Sequence, residues 1–339
     1  MIQLKAMLAA GAAALLLAGG AQAQDYKGEY RVSTVLPAPF PWGQAAERWA
    51  ELTAERTDGR INLKVYPGTQ LVQGDQTREF TALRQGVIDM AVGSTINWSP
   101  QVAELNLFSM PFLMPDYAAM DAITGGEVGA RIFEIVEESG VVPLAWAENG
   151  FREVTNSKTP IRTPADMAGL KLRVVGSPIY GDIYTALGAN PTQMSWADAQ
   201  PALTTGAVDG QENPLTIYDT LKMHELGQTN VTLWGYVADP LIFAVNRDVW
   251  EGFTPEDQEI LRQAAVDAGA FGIEVARAGL TGEDRSLIEK IEGYGVNVVE
   301  LTPEERQAFV DATRGVYDAW KERIGADLVE AAERAVAER

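Results

Sequence analysis

The strand-like run Leu241–Asn246 (LIFAVN) comes after two separate strand–helix series have already been laid down. The first series opens with the apolar stretch Tyr30 to Leu36 and the turn cluster Pro37–Pro41. A helix follows, with Trp42, Ala45, Trp49 and Leu52 at helical spacing and Glu47, Arg48 and Glu51 outward. Ile61, Leu63 and Val65 then alternate with Asn62, Lys64 and Tyr66 as a half-buried strand. A second helix sets Phe80, Leu83 and Val87 on one face, and a short strand runs from Asp89 to Val92. A second strand–helix series starts at Val141, so LIFAVN reads as a strand returning to the first. Two or more crossings of this kind describe hinged lobes rather than beads on a linker. The βαβα order also implies a mostly parallel sheet with its ligand beyond the carboxyl ends of the strands. In the first lobe those ends carry Pro37–Trp42 and Gly93–Trp98, which makes Trp42, Asn97 and Trp98 candidates for the cleft wall. Ordinary core packing is the competing reading for both tryptophans.

The lobes are discontinuous in this reading: residues 24–150 with 240–278, and residues 151–239 with 279–339. Thr254-Pro255-Glu256-Asp257 supplies a capping residue and a proline at the first helical position. Apolar residues recur from there at helical spacing to about Ile291, a helix of about 50–60 Å at 1.5 Å per residue. That exceeds the width of one lobe, so a helix spanning both is expected, kinked at Gly279 or Gly282. Two helices broken there are the alternative. Thr302-Pro303-Glu304-Glu305 starts another capped helix, with Phe309, Val316, Tyr317, Trp320 and Ile324 inward.

Lys5, the apolar run Met7 to Ala18 and the small-x-small Ala21-Gln22-Ala23 read as an export signal covering residues 1–23. The run is too short for a membrane span, so a soluble periplasmic protein with no inserted segment is expected. The chain has no cysteine, which excludes a lipid-anchored cysteine, disulfides and Cys-ligated metals. The single histidine, His224, rules out a two-His metal site and reads as a surface residue of an amphipathic helix. The net charge of −20 becomes about −21 without Lys5, which argues against nucleic-acid and anionic-lipid partners. It does not argue against a small anion, because a local arginine pair in a closed, low-dielectric cleft outweighs distant screened charge.

The stretch Gly150–Pro214 holds the candidate chemistry. Arg173 lies in the apolar run Leu170, Leu172, Val174, Val175, near the end of a buried strand. A guanidinium there is costly to desolvate unless a carboxylate or phosphate meets it, and a carboxylate can do so through two parallel hydrogen bonds. An internal salt bridge is the competing reading. Ser177-Pro178 reads as a helix start with Ser177 capping, and Ser195-Trp196-Ala197-Asp198 as a capping box that opens a helix with Trp196. Asn213 offers uncharged donors, or forms a turn between Gly210 and Pro214. Tyr236 and Asp239 precede the return strand, close to the expected hinge.

The segments ALRQGVIDMAV, GFREVTNSKTPI, GLKLRVVGSP and GANPTQMSWADAQPALTTGAVDGQENP, taken in order, resemble the extracytoplasmic solute-binding subunits of TRAP transporters, dicarboxylate-binding type. The resemblance covers essentially the whole mature chain. It implies an α/β two-lobe periplasmic-binding-protein fold with a hinge, an interlobe cleft and a long helix as a spine. It implies a ligand carboxylate clamped by Arg173 and assisted by Asn213, with Arg152 reaching in from nearer the cleft rim and Trp196 lining the cleft. It also implies a membrane permease as partner, no cofactor and no enzymatic activity. The default ligands are succinate, malate or fumarate, with sugar acids and aromatic or sulfonated acids open. The alternatives are a metal-dependent 2-oxo-acid binder, for which Glu212 is the near carboxylate, an ABC-type subunit, or an exported enzyme. The lone His224 and the lack of a nucleophile elbow or phosphate loop speak against the enzyme.

Overall fold

A computed structural model describes residues 26–339; the expected export signal lies outside the described residues. The strands in chain order are β1 (Tyr30–Ser33), β2 (Leu63–Tyr66), β3 (Met90–Ser94), β4 (Val141–Phe151), β5 (Glu153–Asn156) and β6 (Lys171–Val174). They continue as β7 (Asn190–Gln193), β8 (Gly210–Asn213), β9 (Asn230–Leu233), β10 (Ala238–Asn246) and β11 (Asn297–Glu300). One sheet has the order β2-β1-β3-β10-β4, the other β11-β9-β5-β8-β6-β7. In the first sheet β1, β2 and β3 pair in parallel, and the return strand β10 runs antiparallel between β3 and β4. In the second, β5 is the antiparallel strand, between β8 and β9.

The two crossings lie side by side. β4 continues into β5 with Arg152 alone between them, and β9 leads into β10 through residues 234–237. β4 pairs with β10 and β5 with β9, so a single antiparallel ribbon runs through both sheets. The Arg152 N–H donates to Val237 O at 3.1 Å where the ribbon passes from one sheet to the other.

The helix Pro41–Arg56 buries Trp42, Ala45, Ala46, Trp49 and Leu52 against the first sheet, as its spacing predicts. Trp49 donates to Leu261 O at 3.2 Å and meets Phe243 edge-on at 5.2 Å, tying this helix and the helix Pro255–Arg277 to the sheet. Val87 departs from expectation: its helix, Glu79–Arg84, stops short, the chain turns at Gly86, and Val87 is exposed.

The expected spine is also corrected. The helix that Thr254 caps ends at Arg277, and a separate helix runs Ser286–Glu292. Gly279 takes a left-handed φ of 74°, and Leu287 N–H bonds back to Gly279 O at 3.3 Å. A β-carbon at Gly279 would lie 2.7 Å from Leu287 N, so the doubled-back chain admits only glycine there. The longer helix packs on Pro41–Arg56 and β4, whereas the shorter one packs on the helix Leu215–Thr220 and β11. The helix Pro303–Ile324 carries the expected capping box and buries Phe309, Tyr317, Trp320 and Ile324. The final helix, Ala326–Glu338, returns to pack on Tyr117–Thr124 and Glu127–Glu138.

Candidate functional site

Between the sheets lies a cavity with about 300 Å³ of empty space, its solvent-open mouth included. Arg173, the third residue of β6, enters it and is only 1% exposed. Its Nε and Nη2 donate to Met194 O at 3.1 and 3.0 Å, and it forms no ion pair among the described residues. A guanidinium carries five N–H donors. Met194 takes one from Nε and one from Nη2, which leaves both Nη1 hydrogens and the second of Nη2. That free edge is the one a carboxylate bridges with two parallel hydrogen bonds. Burial pushes the Arg173 pKa down to about 10, against the pull of Glu212. A buried cation held only by a backbone carbonyl is incomplete.

The surrounding side chains come from both lobes. Trp196 opens the helix Trp196–Thr205, which Ser195 caps through Asp198 N–H, and its ring lies 5.5 Å from the Arg173 guanidinium carbon. Its own backbone N–H crosses the cleft to Gln76 Oε1 at 2.8 Å, while Gln76 Nε2 donates to Asn97 Oδ1 at 2.7 Å. Gln76 is buried and thus joins the two lobes. Asn213, at the end of β8, donates to Gln211 and turns toward the cavity. Trp42 lines the opposite wall, its indole N–H fixed on Val92 O at 2.7 Å. Val35, Leu36, Ile96, Val175 and Ile217 supply the apolar surface.

Arg152 and Asp239 also line the cavity, and Arg152 is spoken for. Its Nε and Nη2 bond the Glu212 carboxylate, Nη2 also donates to Glu212 O at 2.9 Å, and Nη1 meets Asp239 Oδ2 at 3.0 Å. Burial opposes its charge, but Glu212 and Asp239 hold it firmly protonated. Asp239 further accepts from Ser94 Oγ and from Asn149 Nδ2, and burial raises its pKa. Glu212 also accepts from Tyr236 at 3.0 Å.

The model of the bacterial extracellular solute-binding protein, family 7 (DctP), matches residues 32–323. The chain belongs to this TRAP solute-binding family. The C4-dicarboxylate-binding periplasmic protein DctP of Rhodobacter capsulatus is 32% identical over 331 residues, 97% of each chain. The 2,3-diketo-L-gulonate-binding periplasmic protein YiaO of Escherichia coli is 34% identical over 291 residues, 85% of this chain and 86% of that one. A crystal structure of a TRAP periplasmic solute binding protein from Ralstonia eutropha H16, with bound (S)-2-acetolactate, is 63% identical. It superposes with a TM-score of 0.92 over 93% of this chain and 100% of that one. These relatives are binding proteins of the periplasm. Among the described residues, no helix is long and apolar enough to cross a membrane.

In this solute-binding protein the cavity gathers Arg173, Asn213, Arg152, Trp196, Trp42 and Asn97. It does not gather Trp98 or Tyr236. Asn97 and Trp98 are adjacent on a single helical turn, so they point apart. Trp98 packs on Phe80 and donates to Glu79 Oε2 at 3.0 Å, over Gly93, where a β-carbon would lie 1.9 Å from the indole. Tyr236 stands behind Glu212, fully buried. Arg152 is not at a rim: it is 3% exposed, at the crossing of the ribbon. Glu212, the carboxylate considered for a metal, is engaged by Arg152 and Tyr236. Ser177 holds the N-cap position but does not cap; its hydroxyl donates to Asn106 Oδ1 at 3.0 Å. Ser94 falls within the expected wall segment Gly93–Trp98, whereas Gln76 and Asn149 are wall residues that the sequence reading missed.

Proposed function

We propose that this protein captures a small organic monocarboxylate between its lobes and passes it unaltered to a TRAP membrane permease. The observation that carries the reading is the free edge of buried Arg173. The ligand carboxylate takes that edge, Asn213 adds an uncharged donor, and Trp196 packs on the guanidinium. The relative bearing (S)-2-acetolactate favours (S)-2-hydroxy-2-methyl-3-oxobutanoate, rather than a C4-dicarboxylate, as the ligand. The wall mixes apolar and amide side chains, which suits that acid. Its methyl groups match Leu36, Ile96 and Ile217, and its hydroxyl and ketone match the amides of Asn97 and Asn149.

In this reading the lobes close about the paired crossings, and the closed shape is what the permease recognises. The lobes comprise residues 24–150 with 240–278 and residues 151–239 with 279–339, the terminal helix folding back onto the first. Export by a signal over residues 1–23 places the protein in the periplasm. No chemistry is done on the ligand: the donors that meet it, guanidinium and amide, hold an anion and do not exchange protons near neutral pH. A thermal-shift panel of 2-acetolactate, succinate, malate and hexonic and hexuronic acids tests the reading, with mass spectrometry of the recovered ligand. The largest stabilisation is expected from 2-acetolactate, recovered intact. Stabilisation by sugar acids or diacids alone would overturn the ligand, and accumulation of a product would overturn the carrier role.

A further inference from the structure

We infer that the buried trio Arg152–Glu212–Asp239 is a charge filter that makes this cavity reject a second carboxylate. The inference rests on Arg173 as the carboxylate clamp and concerns the rest of the wall. Four charged side chains meet at the site: Arg152, Arg173, Glu212 and Asp239. The trio contains one cation and two anions, held together by direct ion pairs at 1–3% exposure. It therefore carries one net negative charge, which Arg173 balances before any ligand arrives. Four of the five Arg152 donors are already committed to Glu212 and Asp239. Arg152 is thus not available as a second clamp.

The other polar groups facing the cavity are uncharged: Gln76, Ser94, Asn97, Asn149 and Asn213. A monoacid takes the Arg173 edge and presents its remaining atoms to amides and apolar carbons. A diacid must leave its second carboxylate in the same enclosed space with no cation to receive it. Asp239 is the anion on that wall, its oxygens held by Ser94, Asn149 and Arg152. Two like charges about 6 Å apart at an effective dielectric near 20 repel by an amount equal to about a hundred-fold in affinity. The filter therefore makes the ligand of this cavity a monoacid.

The test uses acids matched in shape and differing in charge, titrated calorimetrically at pH 7.5. In one pair, 2-acetolactate is set against 2-hydroxy-2-methylmalonate, in which a carboxylate oxygen replaces the acetyl methyl. In the second, levulinate is set against succinate by the same replacement. The native protein is expected to favour the monoacid of each binding pair by about a hundred-fold. Asp239→Asn removes the surplus charge and is expected to narrow that ratio at least about ten-fold, mainly by tightening the diacid. Glu212→Gln makes the same charge change from the other side, should Asp239→Asn fail to fold. Equal affinities within pairs in the native protein, or a ratio unmoved by either folded variant, overturn the filter. Silence from all four acids overturns the carboxylate reading beneath it.

Discussion

Replacing Arg173 should have opposite effects on binding and on the stability of the unliganded protein. In the proposed bound state the end-on edge of the guanidinium makes two charge-assisted hydrogen bonds to the ligand carboxylate. Removing one partner of such a buried pair costs about 2–5 kcal/mol, or roughly 30- to several-thousand-fold in affinity. Arg173→Lys should recover little, because an ammonium lacks the planar fork. Without ligand the same side chain is a liability. It is 1% exposed, and among the described residues its side chain donates only to a backbone carbonyl. Its pKa, pushed down to about 10 by burial, is a differential of roughly 3 kcal/mol against keeping it charged at neutral pH. Arg173→Met keeps most of the stem and removes the charge, so it should raise the melting temperature of the ligand-free protein by a few degrees. Calorimetric titration with 2-acetolactate and scanning calorimetry of the unliganded variants measure the two effects. Retained affinity in Arg173→Met would refute the clamp. Lost affinity with a lowered melting temperature would refute the argument that the native site stands incomplete without its ligand.

Gln76→Ala removes the hydrogen bond across the cleft to Trp196 N–H, and stopped-flow measurements should show ligand release about 3- to 10-fold faster with association little changed. A slower association with unchanged release would contradict that role. Small-angle scattering should report a smaller radius of gyration with saturating ligand than without; stabilisation with no compaction would speak for a rigid pocket. Glu79, buried beside Ser33 and Trp98 with no cation, has its pKa raised by burial to about 7. Its folded-state pKa lies above its unfolded value, so its contribution is full below about 4.5 and lost as pH rises through about 7. The melting temperature should therefore fall between pH 5 and pH 8, and Glu79→Gln should flatten that fall; an unchanged slope would remove Glu79 as its source.

Much of this arrangement was legible because local signals and strand order agreed. Arg173 stood out as a charge in an apolar strand, Trp196 as the opening of a capped helix, and LIFAVN as a returning strand. What escaped depended on distant partners. Arg152 and Glu212 are sixty residues apart, and they meet because β5 and β8 pair in a register that sets Glu153 opposite Asn213. No local pattern shows that Arg152 is neutralised. Gln76 follows a loop with left-handed Thr69 and Gln73, where neither residue type nor periodicity signals the conformation. The expected spine failed at Gly279, because apolar spacing continues past a glycine whose positive φ reverses the chain. Trp98 and Asn97 were separated by a single helical step, finer than a range of cleft residues can resolve.

The place of β10 has a consequence for how the chain reaches this structure. It lies between β3 and β4, so the first sheet lacks the strand that joins these two until residue 246 is available. A fragment ending at residue 150 would hold β3 and β4 with a gap between them and two unpaired edges facing it. The first lobe is therefore no independent folding unit, although it is built mostly from the N-terminal half. Its assembly must wait for the second lobe's strands to be synthesised, which imposes long-range pairing and slows folding. A chain that cannot complete its first sheet early also stays unfolded longer, the condition in which a polypeptide can be threaded through an export channel.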